Sequence, residues 1–244
     1  MSDVLHLSDN SKVCFAKNRP NSIGFLLGPF EDGGICLGAT KGEGGCCSTR
    51  PGCATATCYV NKLMRIYSGV GPKLKSNTDL MNDANLERKV LLLDNTIKLF
   101  KSKNAPENYF FRYTWSGDIL NEDYAKAMVE VSKRHPDVKF WAYTRSHWFA
   151  PMFAGLPNFA LYLSCDPVNQ VEVLKMHEQL KEHKNIGVAW MDSKTKPEGV
   201  KWVNCPETSK KIKSSPEEGA CSKCRLCFTH NDKIKLRNIT FDVH

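Results

Sequence analysis

From Tyr109 onward, short β-rich apolar runs alternate with amphipathic helical stretches, and this rhythm constrains the fold more than any other feature of the chain. Runs over 109–115, 138–143, 159–163 and 186–191 end in Ser116-Gly117-Asp118, Thr144-Arg145-Ser146, Ser164-Cys165-Asp166 and Asp192. Between them, Tyr124, Ala127, Met128 and Val131 fall at i, i+3, i+4 and i+7, one face of a helix, and Val173, Met176 and Leu180 mark another. Upstream, Leu86, Val90, Leu93, Ile97 and Phe100 step by four and three, and Tyr59, Leu63, Met64 and Tyr67 outline a helix directly after Cys58. Short apolar strands that alternate with helices pair in parallel with the helices packed outside. Four to six such units predict an α/β fold, a partial or complete (β/α) barrel, and the length of 244 residues suits a single domain over 1–244.

Ligands of parallel α/β folds collect at the carboxyl ends of the strands. Ser116, Asp118, Arg145, Cys165, Asp166 and Asp192 would all fall there, although any one of them also serves as a helix cap. His147, near a strand end, is a further candidate, whereas His177 lies among charged residues of a helix and reads as a surface residue.

The eleven cysteines are the second constraint. Their number is odd, the chain is large enough to do without disulfide staples, and the start carries Asp3 and Asp9 rather than an export signal, so a reducing cytoplasm is expected. No apolar run approaches the ~20 residues that span a bilayer, and no membrane partner is expected. Cysteine-rich loops occupy 46–58 and 205–227. Cys221-x2-Cys224-x2-Cys227 puts three thiolates on one short loop, as corners of a [4Fe–4S] cube require, and Cys205 would arrive from upstream as the fourth ligand. A zinc site from Cys205, Cys221, Cys224 and His230 is the alternative.

At the other end, Cys46-Cys47-x5-Cys53-x4-Cys58 follows a glycine-rich stretch. Adjacent residues point in different directions, so one of the first two is expected to ligate, and Cys47, Cys53 and Cys58 are the chosen set. Three thiolates would leave one iron open to a small molecule. Whether the two loops share one cluster or hold two is not readable from spacing. Isolated Cys14 and Cys36 read as small buried hydrophobes.

Four segments in order, Cys53-x4-Cys58-Tyr59, Phe111 to Asp118, Phe140 to Ser146, and Cys221-x2-Cys224-x2-Cys227-Phe228, resemble a phage-associated family, gene product 88, whose members look like reduced relatives of the radical S-adenosylmethionine (SAM) barrels. That resemblance implies a partial barrel, an N-terminal three-cysteine cluster loop, an electron donor, a host-cytoplasm location, and a strand-end motif that contacts SAM. Ser116-Gly117-Asp118 matches the position of that motif, with Asp118 and Arg145 holding the ligand's charged ends. The Cys-x3-Cys-x2-Cys spacing of those enzymes is absent.

The reading is an iron–sulfur protein with a redox or radical-SAM-like role, its substrate not legible. A zinc-stabilised nucleic-acid-binding protein is the alternative. The formal charge of +8 and the aromatics Tyr113, Trp115, Trp141, Tyr143, Trp148 and Phe149 are compatible with base stacking. Core packing is the plainer expectation for the aromatics, and a solvated loop for Lys210, Lys211 and Lys213.

Overall fold

The structure, a computed structural model, describes residues 3–8, 19–26, 36–41, 44–47, 58–215, 217–228 and 234–242. Cys14, Cys53 and His230 lie outside the described residues.

Two of the long helices start where the sequence supplies a side-chain cap. The α-helices α1 (Tyr59–Ile66) and α2 (Val70–Asn82) precede α3 (Leu86–Lys103), whose cap Asn85 accepts the Arg88 N–H at 2.9 Å. Glu87 in its first turn and Lys101 and Lys103 in its last complement the helix dipole. Leu92, Leu93, Ile97 and Phe100 form its buried face. In α4 (Glu122–Arg134) the side chain of Asn121 plays the same capping part towards Tyr124, and α5 (Gln170–Gln179) buries Val173.

The strands β1 (Phe110–Arg112), β2 (Lys139–Thr144), β3 (Phe159–Cys165), β4 (Ile186–Trp190), β5 (Trp202–Asn204) and β6 (Asn238–Thr240) form one sheet in the order β1-β2-β3-β4-β6-β5. Every pairing in it is parallel. The β1 edge is covered by residues 21–25, which exchange backbone hydrogen bonds with Arg112, Trp115 and Ser116. Helix α4 joins β1 to β2 and α5 joins β3 to β4. The β2–β3 crossover is a 3-10 helix, His147–Phe153, with Pro151 inside it. A short helix, α6 (Ala220–Cys224), lies between β5 and β6.

Side chains alternate faces along a strand, and the sheet divides accordingly. Phe111, Phe140, Ala142, Phe159, Leu161, Leu163, Val188 and Trp190 join the large core beneath the helices. Phe110, Trp141, Tyr143, Ala160, Tyr162 and Ala189 point the other way and pack under Cys221, Leu226, Cys227, Phe228 and Phe241 of the C-terminal segment. Burial of each large apolar side chain contributes ~1.5–3 kcal/mol.

The α/β class and parallel pairing follow the sequence pattern. A complete barrel does not form among the described residues: β1 and β5 are the two ends of the strand order and do not pair. The first predicted strand also stops early, at Arg112, because Thr114 takes φ 52° and turns the chain out of extended conformation.

Candidate thiolate sites

The nine described cysteines all carry free thiols, and eight of them gather into two sets. In the C-terminal set, α6 places Cys221 and Cys224 one turn apart on one side. Arg225 then adopts φ 57°, its N–H bonded to the Cys221 carbonyl, and this left-handed cap swings the chain back so that Cys227 returns to the same place. Phe228 fixes the turn by packing on Phe110 and Trp141, both with ring centroids 4.5 Å away. Cys205 follows β5, its N–H bonded to the Thr240 carbonyl at 2.8 Å.

All six pairings among Cys205, Cys221, Cys224 and Cys227 lie within electrostatic reach, and each thiolate makes its neighbours harder to ionise. Burial, helped by these neighbours and opposed by the Arg112 charge, pushes the Cys221 thiol up to about 11; burial raises Cys224 and Cys227 too. The sheet answers with donors: the Tyr143 hydroxyl lies 2.9 Å from the Cys227 sulfur, and the Arg112 guanidinium stacks 5.1 Å from the centre of the Tyr143 ring.

The N-terminal set sits at the carboxyl ends of β2 and β3. Thr40 organises it: its hydroxyl accepts the Cys46 N–H at 2.9 Å, its carbonyl accepts the Cys47 N–H at 3.0 Å, and its own N–H points at the Cys46 sulfur at 3.5 Å. The sulfurs of Cys46 and Cys47 are 3.7 Å apart. Cys47 also lies within electrostatic reach of Cys36 and Cys58. The Cys47 thiol, against the effect of burial and with help from Arg145 and Thr40, lowers Cys46 to about 6, while Cys47 is raised by the same contact.

Arg145 joins this loop to the sheet. Its Nη1 is 2.5 Å from Asp166 Oδ2 and 3.3 Å from Thr40 Oγ1, and Thr40 Oγ1 itself donates to Asp166 Oδ2 at 2.5 Å. Gly38 lies flush on the Arg145 backbone, where a Cβ would stand 2.1 Å from the carbonyl oxygen, so only glycine permits the approach.

Among the described residues, no three His, Cys, Asp or Glu side chains already converge in a metal-coordinating group. The thiols are drawn together in fours without closing to that arrangement. Soft thiolates are the donors that iron–sulfur clusters and structural zinc both take, and the two sets suit either chemically.

The candidates from sequence separate into three kinds. Cys205, Cys221, Cys224 and Cys227 lie within electrostatic reach of one another, as do Cys47 and Cys58; Cys53 lies outside the described residues. Cys46 and Cys36 join the second set although neither was chosen; an isolated cysteine such as Cys36 carries no spacing signal. The Ser116-Gly117-Asp118 motif is used by the chain itself. The Ser116 hydroxyl donates to the Phe25 carbonyl at 2.7 Å, and Gly117 makes the turn with φ 76°. Asp118 accepts from Ile119 N, Thr144 Oγ1, Arg145 N, Ser146 N and Ser146 Oγ. Cys165 is buried on the helix side of the sheet, its thiol pushed up to about 12 by burial and the adjacent Asp166.

His147 contacts the Arg145 carbonyl, and His177 is half-buried rather than on the surface. Tyr113, Trp115 and Trp141 are buried; Trp148, at 45% exposure, is the one exposed ring of the six aromatics singled out. Lys210, Lys211 and Lys213 are exposed as expected. No helix among the described residues is long and apolar enough to cross a membrane.

The family model for gene product 88 matches residues 10–230. The Gene 88 protein of Mycobacterium phage L5 is 34% identical over 215 residues, covering 84% of this chain and 85% of the relative. The Gene 88 protein of Mycobacterium phage D29 is 32% identical over 209 residues, covering 81% and 84%. No solved structure matches. The chain belongs to the gene product 88 family.

Proposed function

We infer that this chain is an iron–sulfur protein that exchanges electrons, with Cys205, Cys221, Cys224 and Cys227 holding a [4Fe–4S] cluster against the aromatic face of the sheet. The observation that carries the reading is that four thiols, from the end of β5, from α6 and from the turn after it, lie within electrostatic reach of one another, beside a part-buried tyrosine hydroxyl 2.9 Å from one of the sulfurs. The cluster would supply one-electron chemistry. The protein supplies four anionic sulfurs, the aromatic cover of Phe228, Trp141 and Tyr162 that excludes water, and the Arg112 charge that offsets the excess of thiolate.

The N-terminal set, Cys36, Cys46, Cys47 and Cys58, is the second thiolate site of this reading. It lies at strand ends beside Arg145, where a small molecule or an electron donor could approach. The open all-parallel sheet agrees with a partial barrel. SAM contact draws less support, because the side chains of Ser116 and Asp118 are engaged by the chain itself. A redox role is the form this proposal takes, with a reducing host cytoplasm as the setting expected for it.

The test is anaerobic purification followed by iron, sulfide and zinc counts and EPR before and after dithionite. About four irons and four sulfides per chain support the C-terminal cluster alone, and about eight of each support both sites. A Cys224→Ser/Cys227→Ser variant should lose the C-terminal share. Zinc without sulfide sinks the reading and promotes the zinc-stabilised nucleic-acid-binding alternative.

A further inference from the structure

Tyr143 of β2 and Tyr162 of β3 are register partners on adjacent parallel strands, and their rings stack with centroids 5.2 Å apart and planes 23° from parallel. The next residue across the sheet is Gly187 of β4, paired with Tyr162. A Cβ there would meet the Tyr162 ring at 2.9 Å, so the missing side chain makes the room in which that ring lies. The row Tyr143–Tyr162–Gly187 thus holds two phenols side by side on the cysteine face.

Their hydroxyls differ in one respect. Tyr143 donates to the Cys227 sulfur at 2.9 Å, whereas the Tyr162 hydroxyl, wholly buried, has no hydrogen-bond partner among the described residues. Tyr113 and Tyr124 also bury hydroxyls without a partner, but both face the helix layer. Tyr162 instead has Cys227 and Cys224 within electrostatic reach. Leaving a buried hydroxyl unpaired is costly, so its presence here points to an acceptor at the cysteines.

We propose that Tyr143 and Tyr162 are a paired hydrogen-bond donor to the sulfur atoms of the C-terminal cluster, Tyr143 to the Cys227 thiolate and Tyr162 to a cluster sulfur, and that together they set its reduction potential. This rests on the iron–sulfur reading of that site. Hydrogen bonds to cluster and ligand sulfurs favour the more negative, reduced form and so raise the potential. Arg112, stacked on Tyr143, adds positive charge in the same sense. Both tyrosines act through the sulfurs and are positioning residues.

The experiment compares wild type with Tyr143→Phe, Tyr162→Phe and the double variant, each purified anaerobically, by iron and sulfide content, EPR-monitored redox titration, and resonance Raman spectra in H2O and D2O. Both single variants should keep iron and sulfide and shift the midpoint potential to more negative values, the double variant furthest. The wild-type Fe–S stretches should move on deuteration, and less so in each variant. Full clusters with unchanged potentials in both single variants would overturn the proposal while leaving the cluster reading intact. If one single variant loses its cluster, the other decides: a deuterium shift as large as the wild type's overturns the proposal, and a smaller one sustains it. Wild-type protein without iron and sulfide removes the cluster reading and the proposal with it.

Discussion

Replacing Arg145 by Met strips the cation from Asp166 while keeping much of the side chain's apolar length. Asp166 is wholly buried, and the guanidinium that meets it at 2.5 Å is 13% exposed, so solvent screens the pair little. Breaking a buried pair by removing one partner costs ~3–5 kcal/mol, because an uncompensated charge stays behind. Three other donors remain on the Asp166 carboxylate: Thr40 Oγ1 at 2.5 Å and the N–H groups of Val168 at 2.9 Å and Asn169 at 3.2 Å. They hold the loss near the lower end, about 3 kcal/mol. With a urea dependence of ~2–3 kcal/mol per molar for a chain of this size, the unfolding midpoint should fall by roughly 1–1.5 M.

Two further readouts separate this account from a general loss of packing. Arg145→Met/Asp166→Asn leaves no buried charge and should recover at least ~1 kcal/mol relative to the single variant. Because Arg145 holds the cysteine loop through Thr40, the thiols of Cys36, Cys47 and Cys58 should react faster with a thiol reagent in native, metal-free protein, whereas Cys46 also loses the cation that favours its thiolate. Cys227, on the other face, should keep its rate. A midpoint within roughly 0.3 M of wild type, or a double variant no more stable than the single, would refute the reasoning.

Asn158 is buried, and its amide donates to the carbonyls of Ser132, His135 and Val138 at 2.9–3.0 Å, pinning the α4–β2 turn to the start of β3. Asn158→Ala should cost ~2–3 kcal/mol and lower Tm by roughly 5–10 °C; an unchanged melting curve would remove that role. Burial pushes the Asp94 carboxyl up, but Lys98 and His135 outweigh it, and the net shift is downward. A lowered folded value gives stability that is present above the unfolded pKa of ~3.9 and lost as pH falls through the folded one. The stability gap between wild type and Asp94→Asn should therefore shrink in acid as the carboxylate is protonated, and urea titrations from about pH 5 to about pH 3 that show no such narrowing would contradict it.

The middle of the sheet is legible in the sequence because β2, β3 and β4 are buried on both faces and so read as unbroken apolar runs. The edge beyond β4 is not. Trp202-Val203-Asn204 and Asn238-Ile239-Thr240 are too short and too polar to carry a pattern, and only their pairing with each other and with β4 makes them strands. Helix α2 hides for a different reason: its buried face includes Asn77 and Thr78, which bond to the 6, 24 and 26 backbone positions, so apolar periodicity fails. The cysteine sites divide in the same way. Cys221, Cys224 and Cys227 announce themselves by local spacing, whereas Cys36 joins Cys47 only through the folded loop, and the Tyr143–Tyr162 pair exists only through strand register.

The segment Tyr143-Thr144-Arg145-Ser146 explains why these parts occur together. A strand end sends successive side chains to opposite faces. Tyr143 goes to the Cys227 sulfur, Thr144 turns the other way and donates to Asp118 at 2.6 Å, and Arg145 leaves the strand to reach Asp166 and Thr40, beside Cys46. Asp118 in turn grips the N–H groups of Arg145 and Ser146, so the buried carboxylate from the β1 loop fixes the direction in which Arg145 departs. From the residue that touches one thiol set to the residue that anchors the other is two positions, roughly 7 Å of extended chain. In the iron–sulfur reading, that short, rigid span ties the geometry of both sites to one strand end. It gives Asp118 and Thr144 a structural task that neither site could dispense with, although neither side chain touches a sulfur.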